Sequence, residues 1–366
     1  MTFMFIPPSG FSTLGDDLAL AVLVRTPFSS HAAVRAVCRR FDTLIRSPEF
    51  GVQRREAGCV ERGVVVAGGC SRASSWRRTA ACWLLASGRW RPIRALSRAR
   101  ADACSVVVDN EMWILGGTCD PSMDRVSSFS AITLALVEAF DPAANAWRDC
   151  PRMRTPRSGA VAGAVGRALV VAGGFFNGDR LASAEALSLA PPARGRREPA
   201  RWRPLPPMPY AANEATACVL NDGRLYVAGG MGCTALQVWS GAAWSLGPNL
   251  PAVRWAAASA VDAGTGKMMI IGGRVLVEFQ TGEVLPQETA SVIVFDPRTN
   301  AWESGPSLPA PRCGHAATFH EGHVTVVGYG PALQLRDGEW AEVERLSASP
   351  FGDVRLASFA APVLLG

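Results

Sequence analysis

The chain has 366 residues, 48% hydrophobic and 19% charged, with a formal net charge of +6 at pH 7. That apolar content and length suffice for a large core and exclude an intrinsically unfolded polymer. No apolar run reaches the ~20 residues a membrane-spanning helix needs, and Met1 to Gly10 lacks the basic flank and hydrophobic stretch of a signal peptide, so a cytoplasmic or nuclear location without membrane contact is expected.

The 36 glycines and 26 prolines punctuate short apolar runs, which predicts a mainly β chain of brief strands and turns. The arginines are dispersed, with the densest cluster, Arg194, Arg196 and Arg197, in a Pro-rich loop. A nucleic-acid partner is not expected, because no basic stripe with interleaved aromatics is present. The ten cysteines contain no C-x-x-C pair and read as reduced, buried, small hydrophobic residues.

The first element, residues 10–52, differs from the rest. Val34, Val37, Phe41, Leu44 and Ile45 fall at helical spacing, and the segment has no diglycine. A helical module of that size buries little surface alone, so an exposed apolar face that binds a partner is expected. The short stretch Phe50 to Arg55 then leads into residues 59–366, and should hold the two parts at a nearly fixed separation.

From there diglycines close apolar runs at Gly68-Gly69, Gly116-Gly117, Gly173-Gly174, Gly229-Gly230 and Gly272-Gly273, with a degenerate sixth at Gly328-Tyr329-Gly330. Each is accompanied by a tryptophan: Trp90, Trp147, Trp202, Trp244, Trp302 and Trp340. The distance from each of the first five tryptophans to the next diglycine is 26, 26, 27, 28 and 26 residues, whereas the distance from diglycine to its own tryptophan varies, so the variable part is a loop. One unit reads as four strands: Ala160 to Val165, Ala168 to Gly173, Ser183 to Leu189 and a last one around Trp202. Asp141-Pro142 and Asp296-Pro297, each followed by Asn and Trp, set the reversal before the last strand.

A four-stranded sheet cannot bury both faces alone, so six such units are expected to stack around an axis as a six-bladed β-propeller. The first unit lacks a leading strand, and the tail Arg355 to Ala361 is expected to supply it and close the ring.

Diglycine, spaced aromatic and tryptophan in every unit resemble kelch repeats over about five-sixths of the chain. The leading module is similar to an F-box in Leu14-Gly15-Asp16-Asp17-Leu18, Val22-Leu23, Pro27-Phe28, Val37-Cys38-Arg39-Arg40-Phe41 and Leu44 to Phe50. It departs from that family at Gly15, where Pro is usual, and at Phe41, where Trp is usual. The resemblance implies contact with a Skp-type adaptor and cullin ligase core through Leu14, Leu18, Leu23, Pro27, Val37 and Cys38. The order F-box then kelch is similar to the plant-type F-box/kelch proteins. That group consists of substrate-recognition subunits of ubiquitin ligases, whose clients include a phenylpropanoid enzyme and signalling regulators of the cytokinin response. The expected function is client recruitment for ubiquitination and degradation; the alternative is a kelch scaffold that delivers nothing for degradation.

Client-binding residues are expected where the turn before the first strand and the loop after the second emerge together. Arg100, Arg157, Arg254 and Arg312 each lie ten residues after a blade tryptophan; Asn213 aligns with them in another blade, and Arg355 begins the closing strand. Two readings fit these arginines: guanidiniums that receive an acidic or amide-bearing client, or repeat residues that tie blades together. Phe175, Phe176 and Arg180, and Asp120, Asp124 and Arg125, differ among blades and are further candidates.

No catalytic group, metal site or cofactor is expected. His315 belongs to an Arg-x-x-His pattern, and His320 and His323 flank a turn. Gly264-Thr265-Gly266-Lys267 lacks the Ser/Thr and the following helix of a phosphate loop, and reads as a hairpin turn.

Overall fold

A computed structural model describes residues 15–365, apart from 27, 60, 72–76, 87–88, 121–130, 143, 190–199, 329, 344–353 and 356–359. The chain begins with four helices, α1 (Asp16–Leu23), α2 (Phe28–Val37), α3 (Arg39–Ile45) and α4 (Pro48–Glu56), and is otherwise strand and turn.

Asp16 and Asp17 occupy the first turn of α1, where carboxylates suit the positive end of the helix dipole. The helical spacing read across Val34 to Ile45 is interrupted: Cys38 is extended (φ −161, ψ 159) and separates α2 from α3. Asp42 accepts from Arg35 Nε at 2.7 Å and Arg46 Nε at 2.9 Å, and Arg40 Nε reaches Asp16 at 2.7 Å, tying α3 to α1. Leu20, Leu23, Val24, Ile45 and Phe50 form the small core, with Val34, Phe41 and Leu44 packed on it.

Arg54 on α4 connects the helical module to the first β-strand. Its guanidinium is 1% exposed and donates to Val24 O at 2.8 Å, Thr26 O at 2.6 Å and Cys59 O, with Glu61 Oε1 4.0 Å away. Since Glu61 is the first residue of that strand, one buried cation holds the end of α1, the linker and the propeller entrance.

Six four-stranded antiparallel sheets, with four smaller sheets in the loops between their strands, make up the remainder of the described residues. Blade 1 combines Ala360–Leu365 with Glu61–Ala67, Cys82–Ala86 and Arg89–Ile93. The others are continuous in sequence, with leading strands at Cys104–Val108, Val161–Val165, Thr216–Val219, Ala258–Val261 and Ala316–His320. The closing strand pairs Leu365 with Glu61 through to Ala360 with Val66. It therefore starts five residues later than the tail segment expected to form it. Arg355 instead pairs with Cys70 in a small separate sheet.

The core is divided into slabs between neighbouring blades. Val65, Ala67 and Leu84 of blade 1 meet Met112, Ile114 and Phe140 of blade 2, and equivalent clusters fill each later seam. The last seam joins Val64 and Val66 of blade 1 to Ala316 and Val327 of blade 6, so the ring is closed by packing as well as by the shared sheet. The five seams from blade 1 to blade 6 also carry a tryptophan bond. Trp147, Trp202, Trp244, Trp302 and Trp340 donate Nε1–H to the carbonyls of Arg94, Pro151, Pro206, Pro248 and Pro306, each just past the outer strand of the preceding blade.

The diglycines are where consecutive blades approach most closely. A Cβ on Gly116 would lie 2.3 Å from Arg157 O, and one on Gly117 2.5 Å from Ala101 O, and both residues have positive φ (66° and 94°).

Candidate functional site

The second glycine of each pair identifies equivalent positions in different blades. Its N–H donates to the carbonyl of Arg100 (from Gly69, 2.9 Å), Arg157 (Gly117, 2.8 Å), Ala212 (Gly174, 2.7 Å), Arg254 (Gly230, 2.9 Å) and Arg312 (Gly273, 2.8 Å). Asn213 is thus one residue beyond this slot, and Arg355 is too: its pairing with Cys70 matches the bridges of Ala101 to Thr118 and Ser158 to Phe175.

The four arginines in the slot are buried, with exposures of 0% for Arg100, 1% for Arg157, 6% for Arg254 and 5% for Arg312. Their side chains turn into the next blade. Arg157 donates to Gly173 O and Ser183 O at 2.8 Å each and to Glu185 at 3.2 Å; Arg254 donates to Gly272 O at 2.8 Å, Ser291 O at 2.9 Å and Ser291 Oγ at 2.6 Å. Arg100 pairs with Glu138 and reaches Gly116 O and Leu136 O; Arg312 donates to Pro331 O at 2.9 Å. Burial pushes the Arg100 guanidinium down to about 10, and lowers Arg157, Arg254 and Arg312 in the same direction. A client cannot reach these groups. The structure corrects the expectation of an arginine-lined mouth: main chain and side chain of each arginine pin two adjacent blades.

The residue two beyond the slot faces the axis. Asp102, Gly159, Glu214, Ala256 and Gly314 all have φ between 49° and 61°. They bond head to tail: Gly159 N to Asp102 O (2.7 Å), Glu214 N to Gly159 O (2.9 Å), Ala256 N to Glu214 O (3.0 Å) and Gly314 N to Ala256 O (3.0 Å). Five blades thus share one peptide annulus around the axial opening, and its side chains at this face include the carboxylates of Asp102 and Glu214. Below it a channel of about 120 Å³ is lined largely by small residues such as Ala160, Ala215, Ala257 and Ala316. His315 is the largest side chain lining it, and burial lowers its imidazole to about 3, keeping it neutral.

Beside the annulus, on the face formed by the loops after the diglycines, a cleft of about 440 Å³ brings together Asp102, Phe175, Arg180, Asn213, Glu214 and Met231. Three of the residues singled out from sequence, Phe175, Arg180 and Asn213, converge there. Phe175 is 37% exposed, and Arg180 is held by a 2.7 Å bond to Met231 O. Phe176 pairs with Asp179 in the same hairpin but does not line the cleft. Asp120 is paired with Arg78, while Asp124, Arg125, Arg194, Arg196 and Arg197 lie outside the described residues.

The other candidate surface is on the helices. Leu18 is 59% exposed, Val37 is 69% exposed, and Cys38 is exposed too. Leu23, by contrast, is 3% exposed and belongs to the module's own core, while Val22, one turn from Leu18 on α1, is 45% exposed. The motif puts Leu23 on the outer face; the helix phase puts Val22 there instead. Leu14 and Pro27 lie outside the described residues. Because Glu61 begins a strand that ends at the diglycine, the module joins the propeller at the end opposite the mouth.

Among the described residues no group of three or more His, Cys, Asp or Glu side chains is arranged to hold a metal ion. The Gly264 to Lys267 stretch is the turn between two strands of blade 5, with Lys267 Nζ 2.6 Å from Glu303.

The Kelch motif family model matches residues 99–154 and 257–309. Kelch-like protein 34 of Homo sapiens is 32% identical over 146 residues, 39% of this chain and 21% of that protein. F-box/kelch-repeat protein At1g30090 of Arabidopsis thaliana is 28% identical over 227 residues, 59% of this chain and 52% of its own length. F-box/kelch-repeat protein At1g16250 from the same plant is 27% identical over 205 residues, covering 54% of this chain and 50% of the relative. The chain thus spans between a fifth and about half of the length of these curated relatives. A solved structure titled "Structure of YjhT" superposes with a TM-score of 0.56 at 12% identity, over 72% of this chain and 91% of that one, which supports the propeller fold. With kelch motifs closed into a propeller and a helical module at their head, the chain is similar to the F-box/kelch-repeat proteins.

Proposed function

We propose that this protein is a substrate-recruiting subunit of a ubiquitin ligase of the Skp, cullin and F-box type, working in the cytoplasm or nucleus. The exposed apolar face of the helical module docks a Skp-type adaptor, and the propeller mouth holds a client protein. The observation that carries this reading is the division of surfaces: Leu18, Val22 and Val37 are left uncovered by a module too small to bury them, and Arg54 anchors that module away from the mouth. The names of the relatives, F-box/kelch-repeat and kelch-like proteins, support it. The protein itself performs no bond chemistry in this scheme. A rigid receptor raises the concentration of client lysines near a ubiquitin-charged enzyme, and a short, buried linkage keeps that distance fixed.

The test is co-purification with a Skp-type adaptor, comparing the wild type with Leu18→Asp/Val37→Asp. Both positions are exposed, so folding is retained. Adaptor retained by the wild type and lost in the variant is the expected result. A wild type that binds no adaptor would leave a kelch scaffold without a ligase role.

A further inference from the structure

The loop after the fifth diglycine is a β-hairpin, Arg274–Glu278 paired with Val284–Glu288, rooted on the annulus by the pairing of Trp255 with Arg274. It carries a concentration of exposed apolar side chains: Leu276 at 48%, Val277 at 36%, Phe279 at 38%, Val284 at 51% and Leu285 at 41%. Side chains alternate along a strand, and the register sets Val277 opposite Leu285 on one face and Leu276 opposite Pro286 on the other. Both faces of a two-stranded ribbon are therefore apolar and uncovered, which a ribbon cannot remedy on its own.

The edge along Val284–Glu288 is closed to strand addition. Thr289 N bonds Gly273 O at 3.0 Å and Phe279 N bonds Glu283 O at 2.9 Å, so odd-numbered residues of the second strand turn their main chain inward. Residues 284, 286 and 288 then face outward, and Pro286 at the centre of that edge has no N–H to offer. Along this edge recognition runs through side chains.

The charges on the hairpin select the partner. Glu278 and Glu283 flank the turn with no basic side chain paired to either among the described residues, and Glu288 lies 3.9 Å from Arg274 at the root. The annulus on the same face adds Asp102 and Glu214. A second copy docking by two-fold symmetry would set Glu278 and Glu283 against their own kind. We infer that this hairpin is the client-docking element of the mouth, and that it takes a segment in which apolar residues are interspersed with lysine or arginine. The inference deepens the proposed receptor role by naming the class of client segment. It reverses the charge expected from Arg100, Arg157, Arg254 and Arg312, which are spent inside the ring.

The experiment uses the full-length protein and two fluorescein-labelled peptides of equal length, one alternating leucine with lysine and one alternating leucine with glutamate. Fluorescence anisotropy should show the lysine peptide binding at least tenfold more tightly, with affinity falling as salt rises. Val277→Ser/Leu285→Ser should lose at least tenfold. Glu278→Lys/Glu283→Lys should shift the preference toward the glutamate peptide, a result that loss of folding cannot produce. Equal binding of both peptides, binding unchanged in both variants, or a dimer that Val277→Ser/Leu285→Ser dissolves would each overturn the inference. Adaptor co-purification run on the same variants separates the two claims: adaptor binding without peptide preference removes this inference alone, and the reverse removes the ligase role alone.

Discussion

The seam between blades 2 and 3 and the seam between blades 3 and 4 solve one problem in two ways. In the first, the buried Arg157 guanidinium binds the Gly173 and Ser183 carbonyls and the Glu185 carboxylate. In the second, the same slot holds Ala212, and the place of the glutamate is taken by Gln237, fully buried, which exchanges hydrogen bonds with Tyr210 N (2.8 Å) and Tyr210 O (3.2 Å). Cation and carboxylate disappear together. At Arg254 the cation is instead held by the Gly272 and Ser291 carbonyls and Ser291 Oγ, so the slot is a pin between blades whose acceptors are a carboxylate at some seams and neutral groups at another.

Four predictions bear on such equivalences, from the largest effect to the smallest. Arg157→Ala removes the counter-charge of buried Glu185, leaving it the Arg154 and Thr155 N–H donors, and should lower stability in urea by about 3–5 kcal/mol. Adding Glu185→Gln, to imitate the next seam, should recover part of that loss; no recovery would mean that the slot does not work as a charge-matched pair.

His315 occupies the position that Ala103, Ala160, Ala215 and Ala257 fill in other blades, and its folded-state value of about 3 lies below the ordinary 6.5. The unfolded chain then binds the extra proton, so this group removes stability as pH falls from 6.5 toward 3, by about 1.4 kcal/mol per pH unit. Denaturation midpoints of His315→Ala across that range should show a shallower acid slope; an unchanged slope would refute the neutral, buried assignment.

Within the annulus Gly159 and Gly314 adopt left-handed geometry freely, whereas Ala256 holds φ 49° with a side chain. Ala256→Gly should be stabilising by about 1 kcal/mol, read as a rise in melting temperature. Outside the propeller, Gly15 sits at φ −55 and ψ 158 with open space around a would-be Cβ. Gly15→Pro, which restores the residue usual in F-boxes, should gain about 0.5 kcal/mol without loss of adaptor binding.

The repeat makes the propeller legible. Glycines forced by close approach and tryptophans bonded across seams recur at near-constant intervals, so blade number and ring closure by the tail emerge from spacing. Details that depend on phase do not. Ten residues beyond Trp202 is Ala212, the residue the main-chain bonds put in the slot, so aligning Asn213 with the arginines is one residue out, and Arg355 is likewise one residue beyond the slot. Leu23 and Val22 exchange roles because both are apolar, and only packing against Ile45 and Phe50 decides which points inward. The hairpin at 274–288 is hidden in the sequence because its short apolar runs, Val275-Leu276-Val277 and Val284-Leu285, read like those of any buried strand. Exposure, not pattern, distinguishes it.

The central claim is that adaptor and client occupy separate surfaces of one rigid receptor. Titrating a Skp-type adaptor into the wild type, Leu18→Asp/Val37→Asp and Val277→Ser/Leu285→Ser tests it directly. Tight binding by the first and third, and at least a tenfold loss in the second, is the predicted result. Equal affinity in all three, or loss on the hairpin variant, would contradict the separation of the two surfaces.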